Sequence, residues 1–182
     1  ATVALAQQPD ISWMAGGHRG LVRAAAHSPN GQVLASGGSD EIVKLWRVSD
    51  GSLIRTLQGH TKAIRALAFS PDGQTLASGS EDRTIKLWRV SDGSLLRTLS
   101  GHTNHVYTLS FSPDGAVLAS GSFDRSLKLW RLSDGALLRT IPSVDSFTVR
   151  TVAFSPNGSM VGSCGVDGIK LWQVSDGSFV RS

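Results

Sequence analysis

The chain has 182 residues, of which 40% are hydrophobic and 18% are charged, and its formal net charge is +4. This is the composition of an ordinary globular protein with one sizeable core, and no run of 18 apolar residues predicts a transmembrane helix. Cys164 is the only cysteine, which excludes an internal disulfide and a metal site built from several thiolates. We expect a soluble protein and slightly favour the cytoplasm, although the sequence leaves the compartment open.

The first predicted element is a flexible N-terminal segment at residues 1–10, because this stretch lacks the charged and long apolar regions of a signal peptide. The stretch ISWMAG follows at residues 11–16 and predicts a short strand. From residue 18 onward the chain consists of four similar units, so we expect residues 11–182 to form one domain.

Tryptophans mark the repeated unit, each 42 residues after the one before it: Trp46, Trp88, Trp130 and Trp172. A Gly-His pair precedes the tryptophan by 28 residues in the first three units, at His18, His60 and His102. Two turn sequences, SPNG or SPDG and then SDG, recur in all four units. A period of about 40–45 residues is typical of propeller blades or solenoid repeats.

Within the second unit, four short runs suit β-strands: residues 63–69, 74–80, 85–90 and 94–99. The SPDG between the first two runs places Pro second and Gly fourth, as a type I turn prefers. Several of the runs are apolar on both faces, which fits a sheet packed between neighbouring sheets, as in a propeller blade. His27 replaces the Phe found at this point in later units, and we expect a tolerated, partly buried side chain.

The Gly-His pair, FSPDG, LASGS, an Asp and the Lys-Leu-Trp ending together resemble the WD-repeat β-propeller family over residues 11–182. The resemblance departs at the signature Trp-Asp pair, which is Trp-Arg in three units and Trp-Gln in the fourth. It implies an all-β fold with four four-stranded blades per chain. The inner strand sets are expected at about residues 18–48, 60–90, 102–132 and 145–174.

The resemblance also implies a buried structural network of His, Ser, Asp and Trp in each blade. Hydrogen bonds among them would satisfy a buried indole N–H and both imidazole nitrogens. The expected members are His18, Ser36, Asp40 and Trp46; His60, Ser78, Asp82 and Trp88; His102, Ser120, Asp124 and Trp130; and Ser163, Asp167 and Trp172.

Ser, His and Asp together also form the triad of hydrolases, so catalysis is the competing interpretation. The set occurs three times and no GxSxG sequence is present, and we therefore expect no enzymatic activity. No cofactor is expected, and no metal site, since the network histidines lie 42 residues apart.

The fourth unit departs from the others because Asp145 stands where a histidine is expected, after a one-residue insertion. One residue is then lost after Asp167, which returns Trp172 to register. We expect this blade to be the least stable, either through decay of a terminal repeat or through remodelling to meet another chain.

Five stretches resemble outer strands, but only four inner strand sets are present, so either residues 11–16 or residues 178–182 would close a ring. The family resemblance implies rings of seven or eight blades, of which four blades make about half. An open half-ring would expose apolar sheet faces. We therefore favour a homodimer of four plus four blades; the alternative is a fragment of a longer chain with further blades.

The resemblance places binding on the top face, around the central channel. Its candidate residues are Arg23, Arg65, Tyr107, Arg150, His105, Phe123 and Glu81. Three arginines predict an acidic or phosphorylated peptide beside an aromatic shelf, unless Glu81 and solvent ions neutralise them. The competing hypothesis is a structural fragment without a ligand. A nucleic-acid partner is disfavoured, because the basic charge comes from copying one unit rather than from a basic stripe.

Overall fold

The computed structural model describes residues 17–142 and 144–182, in which all regular structure is β-strand. The sixteen strands are β1 (Val22–His27), β2 (Val33–Gly38), β3 (Val43–Arg47), β4 (Leu53–Leu57), β5 (Ile64–Phe69), β6 (Thr75–Ser80), β7 (Thr84–Arg89), β8 (Leu95–Ser100), β9 (Val106–Phe111), β10 (Val117–Ser122), β11 (Leu127–Arg131), β12 (Leu137–Ile141), β13 (Thr151–Phe154), β14 (Met160–Gly165), β15 (Gly168–Gln173) and β16 (Phe179–Arg181). Across this part of the chain, no helix is long and apolar enough to cross a membrane.

The strands form four antiparallel sheets of four, each built from four consecutive strands in chain order. We call them blades 1 to 4. The prediction of an all-β fold with four four-stranded blades is therefore confirmed. Blade 4 takes β16 as its outer strand, paired with β15. The predicted strand at residues 11–16 and the predicted flexible segment at residues 1–10 lie outside the described residues.

The tight turns explain why the turn sequences recur. In blade 2, the N–H of Gly73 donates to the carbonyl of Ser70 at 2.8 Å, and Gly73 has a φ of 69°, which favours glycine. Asp72 Oδ1 accepts hydrogen bonds from the N–H of Gln74 and the hydroxyl of Ser70. The side chains thus hold the turn that sets the register of β5 against β6.

The core lies between blades: blades 2 and 3 contribute both of their faces to it, and blades 1 and 4 contribute one face each. We call the face toward the preceding blade the N-side face and the face toward the following blade the C-side face. Side chains alternate along a strand, so Leu76 points to the N-side and Ala77 to the C-side. One cluster joins the C-side of blade 1 to the N-side of blade 2: Ala35, Val43, Leu45 and Leu57 with Ile64, Leu76 and Trp88.

Two further clusters of the same design join blade 2 to blade 3 and blade 3 to blade 4. The described residues therefore form three interblade seams, and none of them covers the N-side face of blade 1 or the C-side face of blade 4. His27 lies on the open blade 1 and is exposed. The expectation that it is partly buried was wrong, because no described blade covers it.

Candidate functional site

The predicted network is assembled in blade 2. His60 places Nδ1 2.7 Å from an Asp82 carboxylate oxygen and Nε2 2.8 Å from the hydroxyl of Ser78. Trp88 Nε1 donates to the same hydroxyl at 2.8 Å. His60 lies in the loop before β5, Ser78 in β6, Asp82 in the turn after β6 and Trp88 in β7, so the network fixes loops against the sheet.

The chemistry of the groups sets the direction of each hydrogen bond. An indole N–H only donates and an ionised carboxylate only accepts. Ser78 therefore accepts from Trp88 and turns its own proton toward His60 Nε2, while His60 Nδ1 donates to Asp82. Each buried polar atom has a partner in this arrangement, which rigidifies the blade.

Blades 1 and 3 repeat the geometry. The tryptophan-to-serine distances are 2.7 Å in blade 1 and 2.8 Å in blade 3, and the serine-to-histidine distance is 2.8 Å in both. The histidines again contact an aspartate, at 2.9 Å from His18 to Asp40 and 2.8 Å from His102 to Asp124.

The network aspartates are held in the ionised form. Burial alone raises the pKa of Asp82, but hydrogen bonds from His60 and Thr84 outweigh it and hold the pKa well below its usual value. The pKa of Asp124 is lowered in the same way by His102 and Ser126. A carboxylate that stays charged in a partly buried loop contributes to folding rather than to proton transfer near neutral pH.

The Ser78–His60–Asp82 set has the connectivity of a hydrolase triad, but its serine is enclosed. Ser78 is 0% exposed, and its oxygen already accepts the indole proton of Trp88. A nucleophile must reach a substrate carbonyl, which this position does not allow.

Blade 4 builds a different network. Trp172 Nε1 still donates to Ser163, at 2.9 Å, but Asp167 does not join them. Asp167 instead accepts from the N–H of Ser146 at 2.8 Å, from its hydroxyl at 2.5 Å, and from Lys170 Nζ at 3.3 Å. The predicted trio of Ser163, Asp167 and Trp172 is thus only partly brought together.

Asp145 has a role that sequence reasoning did not assign. It is 3% exposed, and its carboxylate accepts from the N–H groups of Phe147 and Asp167, both at 3.0 Å. In blade 2 the equivalent N–H, of Asp82, donates to the hydroxyl of Ser80 at 3.0 Å. Blade 4 has Gly165 in place of that serine, and a Cβ there would lie 2.1 Å from Asp145 Oδ2.

The Asp145 carboxylate therefore occupies the space that a serine side chain, Ser80 or Ser122, fills in blades 2 and 3. Burial raises the pKa of Asp145, but the backbone hydrogen bonds outweigh this and lower it. The signal in the sequence was that the fourth unit has lost both the histidine and the second serine of SGS, whereas the first unit has lost the serine alone.

Among the residues predicted for the top face, Arg65 is bound to its neighbours. Its Nε donates to Glu81 at 2.6 Å, its Nη2 is ion-paired with the same carboxylate, and its Cζ lies 5.3 Å from the centre of the Tyr107 ring. Arg23 donates to Ser39 at 2.9 Å, and Arg150 is exposed. Among the described residues, neither Arg23 nor Arg150 forms a salt bridge.

The predicted aromatic shelf is assembled. The rings of His105, Tyr107 and Phe123 have centroids 6.1–6.5 Å apart. Phe147 extends it, since its ring lies edge-on at 5.0 Å from Phe123 and is 51% exposed. Sequence reasoning missed Phe147 because it lies in the altered stretch that precedes β13.

The WD domain, G-beta repeat family matches four segments of the chain, at residues 11–47, 51–89, 93–131 and 135–172. The chain belongs to the WD-repeat family. WD-repeat propellers are protein-interaction scaffolds and are generally non-catalytic. Each matched segment after the first contains the outer strand of one blade and the first three strands of the next, and the match confirms the resemblance seen in the sequence.

Among curated proteins, the chain is similar to the ribosome biogenesis protein BOP1 homologs of Drosophila virilis, Drosophila erecta and Drosophila melanogaster. Each is 43% identical over 42 residues, which is 23% of this chain and 5% of the relative. The similarity thus spans a small part of those proteins, about the length of one repeat.

Proposed function

We propose that this chain is a non-catalytic scaffold that binds a peptide or protein partner on its top face, and that two four-bladed chains join into one ring. Residues 11–182 would form the half-ring domain, and the His-Ser-Asp-Trp sets would be structural. The partly exposed aromatic cluster of His105, Tyr107, Phe123 and Phe147 is the observation that carries the binding site.

The cluster combines features of a contact surface. Aromatic side chains offer large apolar area with few rotatable bonds, and they dominate the energetics of protein interfaces. The four rings are neighbours at the surface, and Phe147 is half exposed. No described part of blades 1 to 4 covers them fully. An apolar or aromatic side chain of a partner would cover them.

The charges around the cluster favour an acidic or phosphorylated residue beside that apolar side chain. Arg65 forms an ion pair with Glu81 through a charge-assisted hydrogen bond, which neutralises its charge. Arg65 therefore contributes little to anion binding. Arg150 lies in the same blade as Phe147 and is exposed, which leaves its guanidinium for a carboxylate or phosphate. The site would thus depend mainly on an apolar side chain of the partner and, to a lesser extent, on a negative charge beside it.

A peptide array of acidic, phosphorylated and neutral sequences, followed by fluorescence anisotropy with an array peptide that binds, tests the proposal. Phe123→Ala and Phe147→Ala should each weaken binding about tenfold, which is the order expected of an aromatic contact residue. Leu96→Ala, at an exposed position on the outer strand of blade 2, is the matched control and should bind normally. If no array peptide binds, or if the aromatic variants bind like the control, the chain is better described as a structural propeller fragment.

The same assay addresses nucleic acid. Binding to DNA or RNA that falls steeply with salt would indicate a polyanion partner instead. Self-association is measured by light scattering after gel filtration, where we expect twice the 19.2 kDa mass of one chain. A mass of 19.2 kDa at every concentration would contradict the dimer but not the top-face site.

A further inference from the structure

Residues 17–142 and 144–182 leave two sheet faces uncovered. On the N-side face of blade 1, Val22 is 53% exposed, whereas the equivalent Ile64 and Val106 in the internal seams are 0% exposed. On the C-side face of blade 4, Ile169 is 65% exposed, whereas the equivalent Leu127 is 0% exposed. The residues that fill the internal seams are thus present on both open faces without a described covering.

Each internal seam carries a polar latch in addition to its apolar core. An arginine on the outer strand of one blade donates to the SDG turn of the next: Arg55 to the carbonyl of Ser91 at 2.7 Å, Arg97 to that of Ser133 at 2.7 Å, and Arg139 to that of Asp176 at 2.9 Å. The glycine of each turn faces this arginine closely. A Cβ on Gly93 would lie 3.1 Å from Arg55 Cδ.

The two open ends of the chain carry one half of a latch each. Arg181 pairs in register with Leu171, just as Arg139 pairs with Leu129, so it occupies the latch position of blade 4. The turn of blade 1 is built like the others, with Gly51 donating to the carbonyl of Arg47 at 2.8 Å and a φ of 69°. Among the described residues, Arg181 donates to no turn and no arginine reaches the carbonyl of Ser49.

We propose that the C-side face of blade 4 in one copy seats on the N-side face of blade 1 in a second copy, head to tail. This inference rests on the proposed self-association and specifies its surface. Arg181 would latch onto the Ser49–Gly51 turn of the second copy. A second copy is the occupant because the chain itself shows three times that this kind of C-side face fits this kind of N-side face.

The new seam differs from the internal seams at one point. Gly37, Gly79 and Gly121 let the next blade approach, since a Cβ at Gly121 would lie only 2.6 Å from Val149 Cγ1. The equivalent residue in blade 4 is Cys164, and it faces the place of Val22 of the second copy. Gly162 stands where blade 3 has Ala119, which offsets part of the added volume. The seam between copies is therefore wider than the internal ones, and weaker.

The seam would also join two top-face arginines. Arg65 and Tyr107 occupy equivalent positions in neighbouring blades. Across the seam of blades 2 and 3, Arg65 Cζ lies 5.3 Å from the centre of the Tyr107 ring. Arg150 and Arg23 occupy the same positions in blades 4 and 1. Head-to-tail pairing would bring Arg150 of one copy beside Arg23 of the second, so that the seam gathers two guanidinium groups for one anion.

A designed disulfide tests this placement. In the internal seam, a Cβ at Gly121 would lie 2.9 Å from the Cβ of Val149, and a disulfide needs about 3.5–4.5 Å, which a slightly wider seam provides. Val22→Cys, at an exposed position, should therefore crosslink to native Cys164 of a second copy when oxidised glutathione is added. The wild-type chain, with Cys164 alone, and Leu96→Cys are the controls and should not crosslink in this way.

A non-reducing gel should show a single covalent dimer for Val22→Cys at low protein concentration. A ladder of longer products would support the seam but overturn closure by two copies. Monomers with reactive thiols, from a variant whose melting temperature matches the wild type, would overturn the seam while leaving peptide binding on the top face untouched. As a second readout in the unmodified chain, alkylation of Cys164 should slow as protein concentration rises, and a rate independent of concentration would also count against the seam.

Discussion

In blade 2 the N–H of Asp82 donates to the hydroxyl of Ser80, whereas in blade 4 the equivalent N–H, of Asp167, donates to the carboxylate of Asp145. Blade 2 uses a histidine to connect its aspartate to the Trp88–Ser78 pair, and blade 4 leaves the Trp172–Ser163 pair on its own. Between these two blades the N–H at the end of the second strand keeps an acceptor, although the acceptor changes from a hydroxyl to a carboxylate, whereas the histidine is kept only in blade 2.

Removing the aspartate from each blade should give the largest difference in stability between the two networks. Asp82→Ala takes the acceptor from His60 Nδ1, the N–H of Thr61 and the N–H of Thr84. Unsatisfied buried donors of this kind should lower the free energy of unfolding by about 3 kcal/mol. Asp167→Ala should have a clearly smaller effect, because among the described residues the Asp167 carboxylate accepts hydrogen bonds only from Ser146, which is exposed, and from Lys170, which is partly exposed.

Urea denaturation followed by tryptophan fluorescence measures both variants, and Asp124→Ala in blade 3 should match Asp82→Ala. Equal losses at Asp82 and Asp167 would mean that the histidine contributes nothing to the difference between the blades.

A second change tests whether Asp145 and Gly165 function as a pair. Gly165→Ala places a Cβ against Asp145 Oδ2 and 2.5 Å from the carbonyl oxygen of Thr148, which should destabilise the chain by about 2 kcal/mol. Adding Asp145→Ala to Gly165→Ala should destabilise it by less than the sum of the two single changes, because the shared clash is removed. Gly162→Ala, on the same strand with no contact under 3.4 Å, is the control. Strict additivity would show that the two residues do not share one space.

Acid should weaken both kinds of network. Asp82 and Asp145 have pKa values in the folded chain below the ordinary 3.8 of aspartate. The unfolded chain therefore takes up protons first, so the stabilisation is complete above about pH 4 and is lost as the pH falls toward the folded pKa. Urea midpoints at pH 7, 4 and 3 should show this decline, and it should be shallower in Asp82→Asn and in Asp145→Asn. An unchanged slope in both variants would contradict the lowered pKa values.

The scaffold was predictable because it follows from periodic features. Tryptophans at a spacing of 42 residues and SPDG turns define strands and their order without reference to distant contacts. The His60, Ser78, Asp82 and Trp88 set followed from the need to satisfy buried donors. These inferences depend on local sequence that is repeated, so each copy supports the next.

The remaining features depend on contacts that no single repeat encodes. The pairing of Arg65 with Glu81 is the exception, because both residues belong to one repeat and the sequence already offered this pairing as the alternative to anion binding. Phe147 joins the aromatic cluster only because the altered blade 4 segment folds back to Phe123. His27 is exposed because no described blade packs against its face of blade 1. The sequence around His27 cannot indicate this.

We expect the smallest effect from the difference in charge balance between the internal seams and the proposed seam between copies. Across the seam of blades 2 and 3, one arginine meets an aromatic ring and Glu81, so its charge is balanced. In the proposed seam two arginines meet, and charges closer than a Debye length of about 8 Å repel unless an anion lies between them. Inorganic phosphate should therefore lower the dissociation constant of the dimer by roughly two- to fivefold, the range of exposed ion pairs, relative to sodium chloride at equal ionic strength.

Sedimentation velocity over a concentration series measures this dissociation constant. Arg150→Gln should remove the phosphate effect, and Arg65→Gln should keep it. If phosphate and chloride act alike on the wild type, or if Arg65→Gln also loses the effect, the two arginines do not share an anion at the seam.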